Sequence, residues 1–291
     1  MSERITRRTI IKSSALAVTG LPLFRYAANA VPAINSVPYA LDDGWRGLKA
    51  GVASYTLRKF SVDDTIKAIQ KVGLKYVSIK DFHLPMKSTA DERRAVAAKF
   101  KAGGITPISC GNVGMTNDEA NIRNAFEYAR DIGIKVIVCS PDPDSMAILD
   151  KMVKEYNIRI AIHNHGPEDK RFPSPYDVMK TVQGFDQRIG LCIDVGHTAR
   201  AKVNPAEAIV KCQARLYDMH VKDISSTEPN GSTIEGGRGV LDLKSIVQAA
   251  LKIKYSGLFS FEYEKDADDP VPGLAETIGY VRGLIATANG A

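Results

Sequence analysis

Histidine, cysteine and tryptophan are scarce in this chain of 291 residues, at five, four and one. The cysteines (Cys110, Cys139, Cys192 and Cys212) stand far apart, and no pair has metal-ligand spacing, which excludes a cysteine-built zinc site. Three of them lie in or at the ends of apolar, strand-like runs, as small buried residues do. No apolar run beyond the N-terminal region is long enough to cross a bilayer. A Gly-rich phosphate loop is also missing after the first strand-like run, where Ala53-Ser54-Tyr55-Thr56-Leu57 stands instead. An excess of one charge is lacking as well. The chain carries 39 basic and 33 acidic residues, formally +6, but Arg4, Arg7, Arg8, Lys12 and Arg25 fall in the first thirty residues against one acid, Glu3. The remainder holds 34 bases against 32 acids, or +2. That balance does not suggest nucleic acid or an anionic membrane as partner.

The first thirty residues read as a twin-arginine export signal. Thr6-Arg7-Arg8-Thr9-Ile10-Ile11-Lys12 supplies the arginine pair, Ala15 to Phe24 an apolar stretch too short to span unaided, and Ala28-Asn29-Ala30 a small-x-small cleavage site. The expectation is a periplasmic or extracellular protein with no membrane span after cleavage. Residues 31–46, with Pro32 and Pro38, read as an N-terminal linker, and 47–291 as a single catalytic domain.

Strand-like apolar runs recur near 48–54, 74–80, 105–110, 134–140, 158–163, 189–194, 216–221 and 257–262. Several are continuous, as expected of strands buried on both faces of a parallel sheet. Helical patterns lie between them. Ser61, Ser88 and Asn204-Pro205 open helices, Thr116 to Glu119 has capping-box spacing with Thr116 as cap, and Gly73, Gly103-Gly104, Gly133 and Gly184 close helices. Eight strands alternating with eight helices predict an α/β fold, a closed (β/α)8 or TIM barrel, over an open doubly wound sheet.

All five histidines (His83, His163, His165, His197 and His220) fall at or just beyond the C-terminal ends of predicted strands, the rim where such barrels build their active sites. Carboxylates join them in Cys192-Ile193-Asp194-Val195-Gly196-His197, in Asp218-Met219-His220-Val221-Lys222-Asp223 and in Phe261-Glu262-Tyr263-Glu264. An Asp, a His and a Glu from adjacent strand ends can meet one ion at about 2.0–2.2 Å each.

Asp194-x-x-His197, His220-Val221-Lys222-Asp223, Gly237-Arg238-Gly239-Val240-Leu241-Asp242 and Phe261-Glu262 together resemble the xylose isomerase-like barrel superfamily over roughly residues 48–285. That superfamily holds sugar isomerases, ketose 3-epimerases, inosose dehydratases and an endonuclease group. The resemblance implies one metal held by Glu, Asp, His and Glu. Asp194, His220 and Glu262 match the last three, and His197 matches a residue that touches substrate. The first Glu aligns with His163, so the implied ligand set is His163, Asp194, His220 and Glu262. His165, on the same strand face as His163, and Glu264 remain alternatives as ligands.

Ketose epimerases flank the substrate carbon with two glutamates, and one of that pair is missing here. This tilts the expectation towards chemistry needing one good base: an enediolate-type isomerase or epimerase acting on a sugar or cyclitol, or a lyase or dehydratase eliminating from a keto-sugar or 3-keto-glycoside. A barrel that only binds sugar is a lesser alternative, and a phosphorylated substrate or DNA fits an exported protein poorly. Glu262, His165 and Lys222 are the candidates for moving protons. His197, His83 and Arg200 are candidates for holding substrate, with a structural role an equal alternative for His83. Tyr55, Phe82 and Trp45 are candidate apolar faces for a sugar ring. Two histidines among the ligands favour Mn, Zn or Co over Mg or Ca. The sequence leaves a homo-oligomer open.

Overall fold

A computed structural model describes residues 44–288; the export signal and most of the linker lie outside these residues. Eight parallel strands close into a barrel: β1 (Lys49–Ala53), β2 (Tyr76–Ile79), β3 (Thr106–Met115), β4 (Val136–Pro141), β5 (Arg159–His163), β6 (Ile189–Asp194), β7 (Leu216–Val221) and β10 (Leu258–Phe261). They neighbour one another in chain order, with β10 sealing the barrel between β7 and β1. A short antiparallel hairpin, β8 (Asp223–Ile224) and β9 (Thr233–Ile234), stands beyond the end of β7. The helices are α1 (Val62–Lys71), α2 (Ala90–Ala102), α3 (Glu119–Ile132), α4 (Met146–Tyr156), α5 (Pro175–Thr181), α6 (Val195–Arg200), α7 (Pro205–Lys211), α8 (Leu243–Lys252) and α9 (Val271–Thr287). Among the described residues, no helix is long and apolar enough to cross a membrane.

The expected strand runs hold to within a residue or two, apart from β3, which continues five residues further through a register shift between Cys110 and Val113. Every residue of β4 and of β6 is buried, which accounts for their unbroken apolar runs. The large apolar cluster takes one face of each strand together with the inward stripes of the helices, and Val136, Val138, Ala161 and Cys192 form a separate small cluster. Ala161 and Cys192 share strand faces with His163 and Asp194 by simple alternation, which places this small cluster beneath the rim at the strands' C-terminal ends.

Ser61 caps α1 and Asn204 caps α7, as the sequence predicts. Two caps differ by a residue or two. Thr89, not Ser88, opens α2 in a full capping box with Glu92. Asp118, not Thr116, opens α3 by accepting from the Ala120 amide, while Thr116 donates its own amide to Asn121. Aspartate wins because a helix takes whichever polar side chain reaches a free first-turn amide. Trp45, within the predicted linker, is buried against Phe261 and belongs to the barrel's packing, not to any cleft.

Candidate functional site

The rim cluster is built by register. A shift between Leu191 and Cys192 lets β6 pair with β7 so that Asp194 stands opposite His220. His163 pairs with Cys192 one strand away, and Ser260, two residues before Glu262, pairs with His220 on the other side. Four donors thus converge: atoms of His163, Asp194, His220 and Glu262 all lie within 4.8 Å of one another, on four buried residues. His163 Nε2 is 2.9 Å from His220 Nδ1 and 3.6 Å from Asp194 Oδ2. His220 Nδ1 is 3.0 Å from Glu262 Oε2 and 3.9 Å from Asp194 Oδ2.

These spacings fit a shared ion. Two ligands each about 2.1 Å from one centre stand about 3.0–3.4 Å apart at octahedral or tetrahedral angles. Asp194 Oδ2 is buried and faces the two imidazoles, and two imidazoles with two carboxylates form a donor set suited to a transition metal. His165 and Glu264, the alternative ligands, are not in the four-donor group.

The Asp-x-x-His spacing has a local cause. Asp194 is the N-cap of α6, and its Oδ1 accepts from the His197 amide at 2.8 Å, leaving Oδ2 to face the cluster. Asn164 fixes the same residue from behind: its Oδ1 accepts from the Asp194 amide at 3.0 Å, and its Nδ2 donates to Thr198. Gly196 leaves room for a lysine, because a Cβ there would stand 3.0 Å from the Lys222 stem. Lys222 uses that room, with Nζ 3.0 Å from both Asp194 Oδ2 and Glu262 Oε2, and also on Glu264. Burial pushes Lys222 down, but Asp194, Glu262 and Glu264 outweigh it and hold the ammonium well above its ordinary value. Burial raises Asp194 and Glu262 in turn. Lys222, His197 and His163 overcome this for Asp194, and His220, Lys222 and Lys80 for Glu262, so both carboxylates sit well below the ordinary range.

Desolvation drives His163 well below the ordinary imidazole value despite Asp194 beside it, so its ring is neutral, as a metal ligand requires. Burial and then the neighbouring His197 lower His165 as well. The His165 ring lies 4.3 Å from that of His163, and its nitrogens face the Asn112 amide at 3.0 Å and Ser140 Oγ at 3.3 Å. His197 lines the same mouth and meets Arg200 at 3.2 Å. Arg200 also donates to Glu168 and to the Pro229 carbonyl.

His83 is not brought to the cluster. Its Nδ1 meets Ser54 Oγ at 3.0 Å, and its Nε2 meets Thr65 Oγ1 at 2.8 Å and the Leu57 carbonyl at 3.0 Å, which is the structural role weighed for it. Tyr55 and Phe82 do line the cleft, edge to face at 5.7 Å, and Phe82 is 57% exposed. Lys80 and Asn112 line it too, and neither is among the residues expected from the sequence to act there. Lys80 directly follows β2, with its Nζ 3.3 Å from Glu262 Oε1; a lysine just beyond an apolar strand at the rim was the available signal.

The motif around Gly237 has a structural explanation. Asp223 accepts from the amides of Gly237, Gly239, Leu241 and Ile224 at 2.9–3.1 Å, and a Cβ on Gly239 would stand 2.1 Å from its carboxylate. The carboxylate therefore moors the whole loop that follows the hairpin.

The chain matches the family model described as xylose isomerase-like TIM barrel over residues 66–284. It is 27% identical over 147 residues to the rhizopine catabolism protein MocC of Rhizobium meliloti, a stretch covering 45% of each chain, under half the relative's length. Among solved structures it resembles 3-keto-D-glucoside 4-epimerase YcjR from E. coli, with TM-score 0.67 and 16% identity over 81% of this chain and 99% of that one. It also resembles the probable 3-DHS dehydratase AsbF from Bacillus anthracis, with TM-score 0.66 and 11% identity over 80% and 98%. At such identities the likeness to these structures shows the fold alone.

Proposed function

Since the chain belongs to the xylose isomerase-like TIM barrel family, we propose that it is a divalent-metal-dependent sugar isomerase or epimerase that abstracts a proton next to a carbonyl. The convergence of His163, Asp194, His220 and Glu262 within 4.8 Å carries this reading. A transition-metal ion held by these four would supply positive charge to a substrate oxygen beside the reacting carbon.

The chain's own groups divide the remaining work. His165 is neutral and faces the cleft, so it accepts the proton from carbon while the electron pair moves onto the carbonyl oxygen. Lys222 stays an ammonium and holds the Asp194, Glu262 and Glu264 carboxylates in place. Isomerisation returns the proton from His165 to the former carbonyl carbon, while the proton of the adjacent hydroxyl passes to the former carbonyl oxygen. Asn112 and Ser140 orient the imidazole, and His197 and Arg200 hold substrate hydroxyls at the mouth.

A second reading, elimination from a keto-sugar or 3-keto-glycoside, draws on one observation. His163 is one of the four clustered donors and so is not free to act as a second base, and elimination needs only one, which His165 at the cleft supplies before passing the proton to the departing oxygen. The test is metal content of protein purified without added metal, alongside mass-spectrometric wash-in of deuterium next to the carbonyl of keto-sugars. About one transition metal per chain, lost with exchange in Asp194→Ala and His220→Ala, is expected. No metal in the parent after reconstitution sinks the proposal.

A further inference from the structure

The cleft over the four-donor cluster has a volume of about 320 Å³ and is not alone. A second chamber of about 370 Å³ opens beside it, between α6 and the β8–β9 hairpin. The two share His197 and Glu264 as lining, and Lys222 forms the partition: its ammonium touches Asp194 and Glu262 while its side chain lines the second chamber. We infer that the substrate has two units, a keto-sugar bearing a glycosyl group, with the reacting ring over the cluster and the second ring in this chamber. The inference rests on the reading of the cluster as a site for keto-sugars.

Size, wall chemistry and rigidity agree. The cluster cleft and the chamber are of similar size, and each is large enough for a sugar ring. The chamber is lined by Ser232, Thr233, Lys265, Glu264 and the half-buried Gly231, with Ile224 as its one purely apolar side chain. Such a wall suits a ring carrying hydroxyls better than an alkyl or aryl group. Arg200 lines the chamber as well, with its terminal nitrogens on Glu168, His197 and the Pro229 carbonyl. The hairpin that forms the far wall is already fixed, because Arg200 binds Pro229, and Lys202 binds the Thr227 carbonyl at 3.1 Å and Glu228 at 2.6 Å. The chamber therefore exists before substrate arrives, and little ordering opposes binding there.

Lactulose, turanose and isomaltulose each carry a glycosyl group on a fructose unit, at different hydroxyls, and D-fructose is the same ketose without it. Deuterium wash-in next to the carbonyl is measured for all four with metal-loaded protein, in the parent and in Ser232→Trp and Thr233→Trp. Ser232 is exposed on the hairpin, so its tryptophan variant folds even where the Thr233 variant does not. At least one keto-disaccharide is expected to show a KM at least tenfold below that of D-fructose. In Ser232→Trp the ratio of the two KM values shifts at least tenfold towards D-fructose. Equal KM values in the parent, or a preference unchanged in both variants, overturns the two-unit substrate and leaves the keto-sugar site standing. No exchange and no calorimetric binding with any of the four sugars overturns the site reading itself, and this inference with it.

Discussion

Lys222 is the residue on which the metal-free site depends. Asp194 and Glu262 are buried carboxylates, and its ammonium lies 3.0 Å from an oxygen of each. Removing one partner of a buried ion pair costs about 3–5 kcal/mol, because the other charge is left uncompensated. Lys222→Ala is therefore expected to lower the stability of the metal-free protein by about 3 kcal/mol in urea unfolding. Added Mn²⁺ or Zn²⁺ then stabilises the variant more than the parent, since the ion becomes the main cation facing both carboxylates. A variant as stable as the parent without metal would show that the carboxylates do not need the lysine. His83 makes a separate prediction, about pH. Burial holds its imidazole below the ordinary value of 6.5, so the unfolded chain takes up its proton first as pH falls. Stability from this residue is complete above about pH 6.5 and is lost as pH drops towards the lowered folded value, by up to about 1.4 kcal/mol per pH unit for one proton. His83→Gln is expected to flatten that part of the decline between pH 6.5 and pH 5, measured by unfolding at each pH. An unchanged slope would mean that His83 is already charged in the folded protein.

Among the elements, the strands were the most legible in sequence and the mouth the least. Continuous apolar runs such as Ile189 to Ile193 admit one interpretation, because both faces of β6 are covered. Helix starts were less legible where neighbouring polar residues competed, as at Ser88 and Thr89 or Thr116 and Asp118; the winner is set by which side chain reaches an amide, a matter of backbone path. The β8–β9 hairpin and the loop behind it were not legible as structure at all. Their order comes from Asp223, whose four amide partners range up to eighteen positions along the chain. Asp223→Ala is expected to cost about 3 kcal/mol, the worth of hydrogen bonds to a buried charge plus amides left unmet. It should also open residues 225–241 to limited proteolysis well before the barrel yields. Cleavage and unfolding that stay at parent values would assign the loop's order to its glycines instead.

For the molecule as a whole, the candidate site was legible because a barrel gathers what sequence scatters. His163, Asp194, His220 and Glu262 span a hundred residues, yet strand-end placement alone pointed each to one rim. The choices between His163 and His165, and between Glu262 and Glu264, were not legible, since each pair shares a strand face and only depth separates its members. Lys80 was missed for a related reason: a lone lysine at a strand end gives no sign of the carboxylate it faces across the barrel. An ion bound by this geometry would be tied to global stability. Four donors from the ends of β5, β6, β7 and β10 fasten half the barrel's strands to one point, and that point does not exist in the unfolded chain. An ion that binds only the folded state adds about 4 kcal/mol when present at a thousandfold excess over its dissociation constant. The parent's melting temperature is accordingly expected to rise by several degrees with added Mn²⁺, Co²⁺ or Zn²⁺ and to fall back with a chelator. Asp194→Ala and His220→Ala should melt at the same temperature with or without either addition. His83→Gln keeps the full metal response, because its contacts lie outside the cluster. A parent insensitive to both metal and chelator would mean that the four donors meet for structural reasons, with Lys222 and Lys80 as the cations beside their carboxylates.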